Sequence, residues 1–324
     1  GLWAALQGAG PVTSTEVASR VTVDPALVRE WLRAQAAGGY LDYDGDHDTF
    51  TFPEAAAAAL VDGPGGALVE ASVSMLCSMA EGFDEFTTAF RSGEGFGWHQ
   101  RTPRHWHGTD AFTRVALPVE VVGAAVDLMP GVAAALRAGG TVADVGCGYG
   151  APTRGIAELY PAARVLGIDY HDASIVAARA AAADAAADNV RFEVAAAGDL
   201  PEAPAGGYDL ITFFDALHDI GDPRAALIRA RETVGPTGAV LLVEPFGADR
   251  VQDNLNPNGR MFYAISTLAC TPNAVSQRTA ASAEPLGAQA GESALRALAA
   301  DAGFGTVRRL DAPAPFNLVL ELRP

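Results

Sequence analysis

Residues Val142–Thr153 read VADVGCGYGAPT. A short apolar run carrying one acid, Asp144, breaks into glycine at every second position: Gly146, Gly148 and Gly150. Glycines after a strand permit a tight turn and let backbone N–H groups approach a ligand closely. A dinucleotide loop of the form G-x-G-x-x-G would place its third glycine at position 151, where Ala151 is a permitted substitute, so the glycine spacing alone does not decide. The acid decides more. Asp144, just ahead of the glycines, favours a ligand bearing an ammonium group over a pyrophosphate. The following APTRG lacks the lysine of a phosphate-binding Walker loop.

From residue 139 onward, strands and helices alternate. The apolar runs TVADVG, RVLGID, VRFEVA, YDLITFF, AVLLVEP and FNLVLELRP read as strands. TRGIAELYP, DASIVAARAAAADAAAD, PRAALIRARETVG and GESALRALAADAGF read as the helices between them. Repeated β-α units build a parallel α/β sheet whose ligands lie beyond the carboxyl ends of the strands. The second strand ends in Asp169, 25 residues after Asp144, where a carboxylate accepts hydrogen bonds from ribose hydroxyls.

This combination resembles the class I S-adenosylmethionine-dependent methyltransferases, whose first motif is D/E-x-G-x-G-x-G. The resemblance implies a Rossmann-like seven-stranded sheet over residues 131–324. Together with the N-terminal helices and the stretch VEPFGADRVQDNLNPNGRMFYAISTLACTPNAVSQ, it is similar to a bacterial, chiefly actinobacterial, group of winged-helix-bearing enzymes acting on small molecules, secondary metabolites among them. It implies S-adenosyl-L-methionine as cofactor and S-adenosyl-L-homocysteine as product. Gly146, Cys147 and Gly148 would border its methionine part, and Asp144 would orient the motif or the amino group. Asp169 would hold the ribose, with Tyr170 beside the adenine. The acid that usually meets the adenine amino group is replaced by Ala196. Ala197 and Asp199 follow it, and Asp199 is the substitute contact.

The run FFDALHDIGD, Phe213–Asp222, leaves the fourth strand at the same crevice. Asp215 would border the cofactor there. Many small-molecule O-methyltransferases carry a His-Asp pair at this point, and His218-Asp219 resembles it. An imidazole that titrates near neutrality suits removal of a hydroxyl proton, making His218 the candidate base, with Asp219 or Asp222 orienting the ring or capping the next helix. The competing reading leaves His218 a structural role and catalysis to alignment alone. The acceptor atom, O, N or C, stays open.

Residues 1–65 read as helix, helix and hairpin, the order of a winged helix. Asp24 and Pro25 open the second helix, and Leu27, Val28, Trp31 and Leu32 form its apolar stripe. The wing, DYDGDHD, is acidic, and residues 1–70 hold three arginines against ten carboxylates. Nucleic-acid binding wants the opposite sign. We therefore expect a dimerisation and substrate-lid domain, a homodimer, and no nucleic-acid partner. A ligand-responsive transcriptional regulator on the same scaffold would need a basic recognition helix. A cofactor-bound cyclase without net methyl transfer is the third alternative.

Residues 66–130 read as a helical connector whose Trp98, His99 and Trp106 wall a pocket for a small-molecule acceptor. His99, His105 and His107 lack a joining carboxylate and regular spacing, so no metal is expected there. Residues 247–290 read as a substrate lid, with Phe262 and Tyr263 facing the acceptor. Cys77, Cys147 and Cys270 show no paired spacing, which argues for a reducing cytoplasm and against a cysteine-based metal site. The opening GLWAALQGAG reads as interior sequence and not as a secretory signal. The net charge of −17, with all 22 basic residues arginine, disfavours anionic surfaces, and no apolar run is long enough to span a membrane.

Overall fold

The computed structural model describes residues 1–324 apart from Asp62, Ala205, Ala280, Ala281 and Ser282. It divides into two units, Gly1–Ser74 and Met75–Pro324.

In the first unit, α1 (Leu2–Leu6), α2 (Ser14–Val21) and α3 (Pro25–Ala37) precede a hairpin of β1 (Asp42–Asp44) and β2 (Thr49–Thr51), and α4 (Glu54–Leu60) follows. Local chemistry fixes the helix starts. Thr13 and Glu16 form a reciprocal capping box on α2. Asp24 accepts from the Ala26 and Leu27 amides with Pro25 at the first helical position. Val28, Leu32, Phe50 and Phe52 are buried, whereas Leu27, assigned above to the apolar stripe, is 69% exposed. Helix α1 was not foreseen. Its Trp3 ring lies 4.8 Å from Trp31 and 5.0 Å from Phe52, closing the small core.

Helix α5 (Gly63–Glu81) carries the chain into the second unit, followed by α6 (Phe83–Ser92), α7 (Pro103–Ala116), α8 (Val119–Asp127) and α9 (Pro130–Arg137). Then come β3 (Thr141–Val145), α10 (Ala151–Leu159), β4 (Arg164–Asp169), α11 (Asp172–Asp184), β5 (Val190–Val194), β6 (Tyr208–Phe214), α12 (Pro223–Thr233) and β7 (Val234–Pro245). The segment after β7 holds α13 (Pro257–Ile265), a π-helical turn over Ser266–Cys270, and α14 (Thr271–Ser276). Positions 280–282 of the 247–290 lid reading lie outside the described residues. Helix α15 (Glu292–Asp301), β8 (Thr306–Arg309) and β9 (Asn317–Arg323) complete the fold.

The seven strands lie in the order β5-β4-β3-β6-β7-β9-β8. Strands β3 to β7 run parallel, and β9 is antiparallel to both β7 and β8. The alternation of strand side chains supplies one core on each face. Val142, Leu210 and Leu241 pack with Val126, Leu136 and Ile156 from the helices on one side. Ala143, Ile211 and Leu242 pack with Leu227 and Leu295 on the other. The seventh strand, β8, reads TVRR and lies largely exposed at the edge, so it carries no apolar signature. The chain order reverses between β3 and β6, and the crevice beyond their carboxyl ends is where such sheets bind ligands. Among the described residues no single helix is long and apolar enough to cross a membrane. The α8–α9 pair reaches that length and apolarity only when its two helices are taken together across a 114° bend, and its Val122, Val126, Val132 and Leu136 are buried in the core.

Candidate active site

A cavity of about 350 Å³ opens at the β3/β6 switch point. Its floor is the glycine loop. Gly146, Gly148 and Gly150 all have positive φ, between 52° and 73°, a region side chains avoid. Each serves differently. A Cβ on Gly146 would lie 2.7 Å from the Ala216 Cβ, and one on Gly150 would strike the Phe192 ring at 2.5 Å. A Cβ on Gly148 would meet no protein atom within 4 Å, so its backbone faces open space.

Asp144 is buried beneath this loop. Thr153 Oγ1 donates to Oδ2 at 2.5 Å and Thr212 Oγ1 to Oδ1 at 2.7 Å, tying α10 and β6 to β3. Burial pushes its carboxyl up to about 6, against the pull of the two hydroxyls. Asp169 works at the next strand end. Its Oδ2 accepts from the Gly148 amide and its Oδ1 from the His171 amide, both at 2.9 Å. Burial raises its pKa while these two amides lower it.

Cys147, Tyr170, Ala197, Asp199, Asp215 and Asp219 also line the cavity, as do Trp98 and Trp106. The aromatic pair is fixed by its surroundings. The Trp98 amide donates to Asn273 Oδ1 at 2.7 Å, and Trp106 Nε1 donates to the Trp98 carbonyl at 2.9 Å. Asp215 sits at φ 48°, a left-handed conformation unusual for a residue other than glycine. Its Oδ1 accepts from Asn317 Nδ2 at 2.6 Å. Burial, then the Glu244 carboxylate, pushes its pKa up to about 7.

Four residues singled out in the sequence lie off the cavity wall. His99 is exposed with its ring 6.1 Å from that of Tyr170. Phe262 turns into a small core with Cys270 and Ala288 because α13 aims that face inward. Tyr263 instead has its hydroxyl 3.4 Å from Asn254 Nδ2. His218 is buried one layer behind Asp219. The partner of its ring is also new. Glu244, at the end of β7, takes His218 Nδ1 at 2.6 Å and accepts from the backbone amides of Ala216, Leu217 and His218. Asp219 Oδ1 lies 3.5 Å from His218 Nε2, while Asp222 caps α12 through the Ala225 amide. Burial disfavours a charged His218, but Glu244, Asp219 and Cys270 outweigh it and raise its pKa.

Sequence reasoning also missed Thr109, Asp110 and Thr113 on α7, and Asn273, Gln277 and Thr279 around α14. Asn273 is a hub. Besides Trp98, its amide reaches the Asp219 carbonyl at 3.3 Å, and Tyr170 Oη donates to its Oδ1 at 3.4 Å. The other two histidines of the connector go separate ways. His105, neutral because burial presses its pKa down to about 3, pairs with Ser78 Oγ at 2.8 Å. The His107 ring stacks edge-on to Tyr149.

Residues 136–296 match a family described as a methyltransferase domain, and residues 1–62 match an Rv2258c-like winged HTH domain. A ubiquinone biosynthesis O-methyltransferase from Acinetobacter baylyi is 30% identical over 128 residues, 40% of this chain and 50% of that protein. The chain thus spans about half the length of the curated relatives it matches first. The mitomycin 7-O-methyltransferase MmcR superposes with a TM-score of 0.70 at 18% identity, covering 100% of this chain and 90% of that one. An O-methyltransferase from neocarzinostatin biosynthesis, in complex with S-adenosylmethionine and 2-hydroxy-5-methyl naphthoic acid, gives 0.62 at 18%, covering 99% and 92%. At these identities the two structures speak for the fold.

Proposed function

We propose, for a chain that belongs to the S-adenosyl-L-methionine-dependent methyltransferases with an N-terminal winged helix, that it methylates a hydroxyl of a small organic molecule. The observation that carries this reading is the cavity at the switch point, with a glycine loop on one side and Asp219 backed by His218 on the other.

The residues present fit the cofactor. S-adenosyl-L-methionine is cationic at its amine and its sulfonium, and the cavity is lined by Asp144, Asp169, Asp199, Asp215 and Asp219. The open space at Gly148 admits a ligand against the backbone. When bound, the cofactor supplies an electrophilic methyl group. Asp169 holds the ribose end, Tyr170 and Ala197 flank the adenine, and Trp98 and Trp106 wall the acceptor. The acceptor hydroxyl meets Asp219, which lines the cavity. His218 Nε2 stands 3.5 Å behind Asp219 Oδ1 to take the proton once its own ring is deprotonated, a step that Glu244, bound at Nδ1, makes harder by holding the charged form. Alignment of acceptor and methyl group does the remaining work.

Incubation with S-adenosyl-L-methionine and a panel of aromatic and aliphatic hydroxy compounds should yield S-adenosyl-L-homocysteine and a product heavier by one CH₂. Cofactor binding with no methylated product from any hydroxyl, amine or carbon acceptor would overturn the reading. His218→Ala should lower turnover by about 10²–10⁴-fold, the range for a lost general base, with homocysteine-product affinity nearly unchanged. Near-normal turnover would leave alignment as the whole of catalysis.

A further inference from the structure

Trp98 and Trp106 line the cavity, yet the groups that aim their rings lie one layer back. The backbone ahead of Trp98 is pinned to α14: the Phe96 amide donates to the Pro272 carbonyl at 2.9 Å, and a Cβ on Gly95 would strike that same carbonyl. This fixes where the loop runs but not which way the indole points. The indole is set by the first turn of α11. Trp98 Nε1 donates to Ser174 Oγ at 3.3 Å, and His171 Nδ1 lies 2.8 Å from the same oxygen. An indole nitrogen only donates, so Ser174 accepts from it and turns its own hydroxyl proton to His171 Nδ1. That nitrogen is free to accept, because burial, then His99, holds the His171 pKa below its ordinary value and keeps the ring neutral. The same imidazole lies 4.6 Å from the Trp106 ring. Ser174 and His171 are both buried, so a polar group left unmatched there is costly.

Both residues lead back to the cofactor end of the cavity. The His171 amide donates to Asp169 Oδ1 at 2.9 Å, and the other oxygen of that carboxylate takes the Gly148 amide. Tyr170, between them in the chain, donates through Oη to Asn273 Oδ1 at 3.4 Å, and the same oxygen takes the Trp98 amide at 2.7 Å. Three consecutive residues, 169 to 171, thus reach the indole wall by two separate routes.

We propose that Ser174 and His171 are positioning residues: they aim the Trp98 and Trp106 rings and couple that aim, through Asp169, to occupation of the cofactor site. A ligand on Asp169 restrains residues 169–171, and the restraint favours the aimed rings over their other rotamers. By linkage, the aimed rings tighten the cofactor by the same factor. One consequence rests on the function proposed above: the acceptor meets a finished wall only after the cofactor is in place, so the two bind in that order.

The full chain labelled with ¹⁵N-tryptophan offers four indole N–H signals, from Trp3, Trp31, Trp98 and Trp106. In the native chain, S-adenosyl-L-homocysteine should slow solvent exchange of the Trp98 indole proton by roughly 5–150-fold, the ordinary range for coupling between sites. Trp3 and Trp31 should not respond. Ser174→Ala should abolish the slowing at Trp98 and, by reciprocity, weaken S-adenosyl-L-homocysteine binding in calorimetry by no more than that same factor. Trp98→Phe keeps a ring and removes the donor. The double variant should bind no more weakly than the weaker single one, since both lose one bond. An exchange rate at Trp98 that ignores the ligand in the native chain, an equal slowing in Ser174→Ala, or additive losses in the double variant would each overturn the coupling. None of these readings involves methyl transfer. Coupling without any methylated product would sink the proposed function alone, and methylated product without coupling would sink the positioning role alone.

Discussion

Asp169 makes two backbone hydrogen bonds before any ligand arrives, one to the glycine loop and one to the start of α11. Its removal would therefore loosen the loop as well as the proposed ribose contact. With each charge-assisted bond worth roughly 1.5–3 kcal/mol, Asp169→Ala should weaken S-adenosyl-L-homocysteine binding by at least about tenfold in calorimetry. Gly148→Val should be worse, because it adds a branched side chain at φ +52°. Unchanged affinity in the alanine variant would remove Asp169 from the cofactor site. Asp144 makes a different test. Burial raises its folded-state carboxyl to about 6, whereas the unfolded chain titrates near 3.9. Between those values the folded form binds more protons, so stability falls as pH rises from about 4 to about 6 and the full cost remains above that. The cost is up to roughly 3 kcal/mol. Asp144→Asn does not titrate, so its stability relative to the native chain should improve from pH 4 to pH 7 in urea midpoints. A pH-independent difference would show that the carboxyl is not raised. Asp144 and Asp169 were legible because strand ends and glycine spacing locate them. Glu244 was not. It sits at the end of a strand of ordinary appearance, and only the pairing of β6 with β7 brings it beneath residues 216–218.

At the scale of elements, the alternation of strand and helix was readable because each parallel strand is a short apolar run. Edge strand β8 and the first helix were not, since one is half arginine and largely exposed and the other is only five residues long. The segment after β7 was recognised as more than a connection, but the facing of Phe262 was misjudged because periodicity alone does not say which neighbour a helix meets. What the segment delivers to the cavity is Asn273, Gln277 and Thr279, on α14 and just beyond it. Arg101 holds the turn before them. Its buried guanidinium donates through Nη2 to the carbonyls of Leu268 at 2.9 Å and Ala269 at 3.3 Å, and lies 4.6 Å from the centre of the Phe96 ring. A π-helical turn leaves carbonyls poorly matched within the helix, and an outside donor compensates. Arg101→Met keeps the stem and removes that donor. It should cost roughly 2–4 kcal/mol, the range for opening a buried hydrogen-bonded network. It should also weaken cofactor affinity through the displaced Asn273. Unaltered urea unfolding and affinity would show that the turn stands without its latch.

For the whole molecule the question is what the winged helix is for. Its fold carries the shape of a nucleic-acid reader, yet the charges oppose that use. The hairpin strands and turn bring Asp42, Asp44, Asp46 and Asp48 together at the tip. Asp44 is tied up further by His47 at 2.8 Å and by the Asp46 amide. A duplex carries a charge about every 1.7 Å, so this wing would be repelled where a reader's wing is attracted. Large apolar side chains meanwhile stand exposed on the helices that follow: Leu76 on α5 at 59%, Phe83 and Phe90 on α6 at 64% and 62%. Neighbouring exposed aromatics of this size mark association surfaces more often than solvent faces. The chain should therefore run as a dimer of two 33.4 kDa protomers in light scattering, and should not shift duplex DNA at low salt, where electrostatic binding is strongest. Phe83→Glu with Phe90→Glu should drive it toward monomer without unfolding the sheet. A monomeric native chain would assign those aromatics another partner. A salt-sensitive DNA shift would mean that the three arginines of the first domain outweigh its ten acids, contrary to the simple charge argument.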